Sequence, residues 1–213
     1  MATNKNNGRV RPKALTDGQR NIVLSKAAEV AKDKSASDIH RLIACLIGLL
    51  LTTGLRLVEI LSLKVNSLER SYCEEIKKNG YFFKIPARDG TVVRDFCGDI
   101  AAMFFNTALS IHNSDERIIH DNHLFVMYSP HTNNPRWITV VSFEHYHETF
   151  YEKYLRDFRD EEGEKFVPTV HQYRQTYMNA LYELQRKKYR EESGMTEAEL
   201  DAFEKEIFKQ YNN

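Results

Sequence analysis

Thr52-Thr53-Gly54-Leu55-Arg56-Leu57-Val58-Glu59-Ile60-Leu61-Ser62-Leu63 is the stretch on which the reading of this chain turns. Just upstream, His40 to Thr52 is apolar almost all round, the pattern of a helix buried at the centre of a domain. Gly54 ends that helix, and another begins at about Leu57 with Ile60, Leu61 and Leu63 on one side. An arginine is thereby set just ahead of a helix start, where free backbone N–H groups and the helix dipole both favour an anion. Glu59, three positions on, shares a face with Arg56 and is able to hold its guanidinium. On these residues alone, an anion site stands beside a plainer alternative, an arginine–glutamate pair with no further role.

Upstream of this stretch, residues 1–14 read as a flexible basic arm, with Lys5, Arg9, Arg11 and Lys13 and no acid among them. Thr16 and Asp17 offer N-caps for a helix running to about Lys32, and Ser35 to Asp38 offer a cap for the apolar helix. Downstream, Tyr81 to Ile85 and Thr91 to Phe96 are β-prone runs on either side of Arg88-Asp89-Gly90, a hairpin signal. Ile100 to Ile111 predicts a helix, and His123 to Tyr128 a short strand followed by a Ser-Pro-His-Thr-Asn-Asn-Pro loop. Ser142 is the expected cap of a long helix from Phe143 to about Arg159. Pro168-Thr169 open the next helix, which carries His171 and Arg174. From Thr196 the spacing of Leu200, Phe203, Ile207 and Phe208 predicts an amphipathic C-terminal helix. The expected fold is mainly α with a small antiparallel β-sheet, in one domain from residue 15 to 213.

Lys and Arg total 30, as do Asp and Glu, so the formal net charge is zero, which weighs against whole-surface binding to nucleic acid. The charges are uneven, however. The arm and Arg186-Lys187-Lys188-Tyr189-Arg190 are basic, and such local patches can still follow a phosphate backbone. Three scattered cysteines have neither metal-type nor redox-type spacing and suit a reducing compartment. The longest apolar run, Leu42 to Leu51, is too short to span a bilayer, and no signal peptide opens the chain. A cytoplasmic protein follows as the expectation. His145 and His147, two apart on a helix, diverge and read as surface or groove histidines. Trp137 reads as an ordinary core tryptophan, with packing on a sugar or base as the alternative.

The second informative segment is Val170-His171-Gln172-Tyr173-Arg174-Gln175-Thr176-Tyr177. His171 and Arg174 are three apart on a helix, so together they suit one phosphate, the arginine with a bidentate fork and the histidine with one ring N–H. Alone, the pair is equally a solvated helix face.

Taken with the first stretch, these residues resemble the tyrosine recombinase (phage integrase) family. Thr53 to Leu63 looks like that family's first arginine motif, and His171-Gln172-Tyr173-Arg174 like its His-x-x-Arg motif. The hairpin, the helix and His123-Leu124-Phe125-Val126 follow in the family's order, and the resemblance covers about Leu15 to Gln185. It implies a catalytic domain that cuts and rejoins DNA without metal, ATP or any other cofactor. Arg56 and Arg174 would hold the scissile phosphate, and His171 would assist as a phosphate donor or in proton transfer. A tyrosine would form a 3′-phosphotyrosyl link. Lys84, the only lysine within the hairpin strands, stands for the family's general acid, a strand lysine facing solvent being the alternative. The implied partners are double-stranded recombination sites and other copies of the chain, assembled as a synaptic tetramer near the nucleoid. Residues 196–213 would be exchanged between protomers.

The chain departs from the pattern after Arg174. The family's Leu-Gly-His stretch is missing, and Gln175 stands where a histidine often follows. Tyr211, 37 residues beyond Arg174, is the best nucleophile candidate. The alternatives are a true tyrosine beyond Asn213 or a degenerate site. A non-catalytic, integrase-like DNA-binding module is therefore the rival reading, and an unrelated helical interaction protein a third.

Overall fold

In a computed structural model, the described residues are 13–73, 77–86, 91–129 and 134–200. Two compact units divide the chain, Met1–Tyr177 and Met178–Asn213.

The first unit is built round the apolar helix. Helix α1 (Asp17–Lys32) starts at Thr16, whose hydroxyl accepts from the Gln19 backbone while the Gln19 side chain accepts from the Thr16 N–H. This reciprocal cap satisfies two otherwise orphaned donors and fixes where the helix begins. Helix α2 (Asp38–Thr53) buries every residue from Leu42 to Leu51. It packs against α1, α4 (Asp99–Ser114) and α5 (Val140–Tyr154), which explains its all-round hydrophobicity. At the α2–α4 crossing, Gly48 lies directly against the Phe104 ring, leaving no room for a Cβ. Gly54 then takes φ 65, the left-handed conformation that lets glycine end a helix at no steric cost. Helix α3 (Leu57–Leu61) follows at once.

The sheet differs from expectation by one strand. Strand β1 (Leu68–Cys73) pairs antiparallel with β2 (Lys78–Pro86), which pairs antiparallel with β3 (Val92–Cys97). Phe83, Ile85 and Cys97 on one face are buried in the core. The register places Glu69, Phe82, Lys84, Arg94 and Phe96 together on the other face. A further two-stranded ribbon, β4 (Val126–Ser129) with β5 (Asn134–Trp137), was unforeseen in its second strand. That strand has every residue exposed and contains a proline, so no alternation marks it. His123 contributes only an isolated bridge to Lys64.

Four expectations differ from the structure. The N-cap of helix α5 is Thr139, not Ser142; Ser142 is the third helical residue and the other half of the capping box. It also ends at Tyr154, short of Arg159. His147 is buried, not on the surface, because its helical turn stacks it between Phe143 and Tyr151. Trp137 is 57% exposed, its ring 4.0 Å from that of His123 and its N–H on Asp121, so it is no core residue.

Helix α6 (Val170–Ser193) opens in the first unit and continues into the second. In the second unit, Arg186 and Arg190 both reach Glu197, at 3.0 and 2.7 Å. The C-terminal helix is described only as far as Leu200; Phe203, Ile207, Phe208 and Tyr211 lie outside the described residues. Among the described residues, no helix is long and apolar enough to cross a membrane.

Candidate functional site

Arg56 is the residue before α3, and its backbone is extended (φ −72, ψ 150). Glu59 holds it twice. One carboxylate oxygen accepts the Arg56 backbone N–H at 2.6 Å, and the other accepts from the guanidinium Nη1 at 3.2 Å. The arginine side chain is nevertheless 63% exposed, so most of its donors face solvent. Helix α3 has only five residues and hence a weak dipole. The guanidinium, rather than the helix end, is the anion-attracting element.

Arg174 approaches the same turn from α6. Its Nε donates to the Gly54 carbonyl at 2.9 Å, across 120 residues of sequence. Gly54 follows the last residue of α2 in the left-handed conformation, so its carbonyl lies outside the helix's own hydrogen-bond ladder. With Nε committed, the two terminal nitrogens of the half-buried guanidinium keep further donors. The anchor ties Arg174 to the carbonyl two residues ahead of Arg56.

The first turns of α6 are themselves tied down. Thr169 and Gln172 cap each other reciprocally, at 3.0 and 3.3 Å. The Gln172 side-chain amide also donates to the Lys13 carbonyl at 2.9 Å, and the Leu15 N–H donates to Thr176 Oγ1 at 2.9 Å. Tyr173, fully buried, bonds through its hydroxyl to both His147 Nε2 and the Tyr151 hydroxyl, each at 2.7 Å. Burial pushes the Tyr173 and Tyr151 hydroxyls well above their ordinary range and His147 down to about 4. All three are therefore neutral at physiological pH and serve as a polar rivet between α5 and α6. His171 lies on the exposed side of α6, its ring without a hydrogen-bonding partner among the described residues.

Lys84 lies on the outer face of the sheet, opposite Arg94. Its ammonium is 2.6 Å from Glu69, and Arg94 pairs with the other oxygen of the same carboxylate. The hydrogen bond from Lys84, together with the charges of Arg94 and Lys84, holds the Glu69 carboxyl below its usual range. On the inner face Asp95 goes the other way, raised first by burial and further by the negative charge of Glu59. Tyr177, one turn beyond Arg174, is raised by burial and by Asp95. Burial takes the Cys45 and Cys97 thiols up to about 12, which leaves them unreactive.

Sequence reading missed Glu69, Asp95 and the tie through Gln172 and Thr176. Glu69 was overlooked because β1 was not foreseen: Glu69-Arg70-Ser71 is a polar run with no apolar–polar alternation to mark a strand. The tie joins residues far apart in sequence and leaves no local signal. Among the described residues, no group of three or more His, Cys, Asp or Glu side chains is arranged to hold a metal ion.

No protein-family model matches the chain, and no curated protein does. Solved structures do. XerA recombinase superposes with a TM-score of 0.54 at 12% identity, over 84% of this chain and 52% of its own. XerH site-specific recombinase, bound to difH substrate in a pre-cleavage complex, gives 0.56 at 14% identity, over 81% and 43%. The Tn1549 transposon integrase, in complex with circular intermediate DNA, gives 0.52 at 21% identity, over 85% and 59%. The chain thus spans about half the length of these structures. At such identities the likeness is one of fold: a mainly helical architecture with a small antiparallel sheet, as in the catalytic domains of tyrosine recombinases.

Proposed function

We propose that the chain is the catalytic part of a site-specific recombinase that cuts and rejoins double-stranded DNA through a 3′-phosphotyrosyl intermediate. The observation that carries this reading is the bond from Arg174 to the Gly54 carbonyl, which ties the His171–Arg174 helix to the turn bearing Arg56. Two guanidiniums and an imidazole gathered round one backbone phosphate would neutralise it and stabilise the charge that builds on its oxygens during attack. Glu59 orients Arg56 in this scheme. The tyrosine hydroxyl attacks phosphorus and gives its proton to His171, the bond to the 5′-oxygen breaks, and Lys84 supplies the proton that the leaving oxygen takes up. A 5′-hydroxyl from a second strand then attacks the phosphotyrosine and restores the tyrosine, with no net change in bond energy and no cofactor. Tyr211 is the proposed nucleophile. Assembly as a tetramer on paired sites, with residues 196–213 exchanged between copies, belongs to the same proposal.

The rival reading, a DNA-binding module without the nucleophile, draws on the formal neutrality of the chain and the absent Leu-Gly-His. A nicked suicide duplex carrying the recombination site separates the two. Cleavage predicts an SDS-resistant protein–DNA adduct that disappears in Tyr211→Phe. Salt-dependent binding with no adduct supports the rival, and absence of any binding removes both.

A further inference from the structure

The outer face of the sheet carries two cations on one carboxylate. Glu69 of β1 receives Lys84 of β2 at 2.6 Å on one oxygen and Arg94 of β3 on the other. The strand register makes this unavoidable. Glu69 sits opposite Phe82, Lys84 is two positions further along the same face, and Arg94 is directly opposite Lys84. Two aromatic rings complete the surface: Phe82 and Phe96 meet edge to face at 5.6 Å, and the Arg94 guanidinium lies 4.6 Å above Phe82. Stacking on Phe82 limits the excursions of Arg94, so its position does not depend on Glu69 alone. Both cationic side chains are about half exposed, at 46% and 49%.

A planar carboxylate bridging a lysine and an arginine offers these cations what a phosphodiester would offer them. Two oxygens, one negative charge and hydrogen bonds from an ammonium and a guanidinium are the features that phosphate recognition uses. We propose that Glu69 is an internal, displaceable substitute for a DNA backbone phosphate. In the free chain it neutralises Lys84 and Arg94; on the duplex, a phosphate takes both cations and Glu69 is released to water. The inference rests on the recombinase reading and deepens it, since the lysine assigned to protonate the leaving oxygen would be kept paired until DNA is bound. Exposed ion pairs are weak, so a polyanion with strong local potential is able to exchange with this one.

The test is the affinity of the full chain for a short mixed-sequence duplex across a salt series, for wild type, Glu69→Gln, Lys84→Gln/Arg94→Gln and the triple variant. Removing the competing carboxylate should tighten binding at low salt by roughly three- to ten-fold, the worth of one or two exposed ion pairs. Losing the two cations should reduce the slope of log K against log salt by about 1–2, and Glu69→Gln should then add nothing. Glu69→Gln binding no more tightly than wild type overturns the proposal, as does an equal gain with the cations absent. A wild-type chain that binds no duplex removes the recombinase reading as well. Carboxyl-carbon NMR of the unaltered protein gives a second arm that needs no variant. The Glu69 pKa, held below its ordinary value in the free chain, should rise to or above that value once the duplex is saturating. An unchanged Glu69 titration overturns the displacement.

Discussion

Arg174 holds the Gly54 carbonyl, and the proposed reaction asks it to hold a phosphate as well; its chemistry allows both. A guanidinium has five donors in a fixed fork; Nε binds the Gly54 carbonyl, and the terminal nitrogens keep donors for an oxyanion. A lysine has one nitrogen, which can take the carbonyl or reach a phosphate but does not present a planar pair of donors. Arg174→Lys is therefore expected to lower adduct formation on the suicide duplex by on the order of 100- to 1000-fold, the usual cost of removing a charged or oxyanion-stabilising donor. Arg174→Ala should add a structural penalty of about 1–3 kcal/mol, since the carbonyl of the buried Gly54 loses its donor, and thermal unfolding would register it. Wild-type cleavage by Arg174→Lys would sink the phosphate role. Arg56 offers the complementary case. Its exposed side chain bonds only to Glu59 among the described residues, so Arg56→Gln should abolish cleavage while leaving the melting temperature nearly unchanged. Sequence alone made both arginines candidates, because Gly54 stopping an apolar helix and the His-x-x-Arg spacing are local patterns. It had no means of showing that Arg174 reaches the turn ahead of Arg56, since that bond goes to the carbonyl of Gly54, 120 residues away in sequence.

At the scale of the elements, the tightest constraint is where α2 crosses α4. A Cβ added at Gly48 would stand 2.3–2.4 Å from three atoms of the Phe104 ring, and that ring is fully buried. Gly48→Ala gains up to about 1 kcal/mol of helix propensity but incurs roughly 1–3 kcal/mol of overpacking. The net expectation is a lower melting temperature. Phe104→Leu should relieve the clash, so the double variant should lose less than the sum of the two single losses. Strict additivity in calorimetry would count against a direct clash. Helix α1 was legible from the cap-competent Thr16, and α2 from a long apolar run closed by Gly54. The start of α5 was misplaced by three residues because Thr139 and Ser142 are both cap-competent, and the fold uses them as two halves of one box. The burial of His147 did have a signal that went unused: Phe143, His147, Phe150 and Tyr151 fall on one helical face. Strands β1 and β5 lacked such signals, one being rich in polar residues and the other exposed along its whole length.

Over the whole molecule, the rivet of His147, Tyr173 and Tyr151 links stability to pH. Burial lowers the His147 pKa from 6.5 in the unfolded chain to about 4 in the fold. Between those values the unfolded state takes up a proton that the folded state refuses. Acid therefore favours unfolding in this window. The contribution is fully present above about pH 6.5, is lost as the pH falls toward 4, and changes no further below that. A displacement of this size corresponds to roughly 3 kcal/mol across the window. Urea midpoints measured at pH 7 and pH 4.5 should fall much further for wild type than for His147→Gln, which keeps a polar group facing Tyr173 but does not titrate. Equal falls would show that His147 is not the group responsible. The loss should be felt at the site as well as in bulk stability. Tyr173 stands one residue before Arg174 on α6, and its hydroxyl bonds are what join that turn to α5. Protonating His147 removes the acceptor capacity of its ring and places a charge between buried phenols, so the first turns of α6 should loosen before the central helix does. Hydrogen exchange at pH 5 and pH 7 should accordingly show the amides of residues 171–177 losing protection ahead of those in α2. Uniform loss in both helices would mean that acid acts on the fold as a whole and leaves Arg174 anchored until global unfolding.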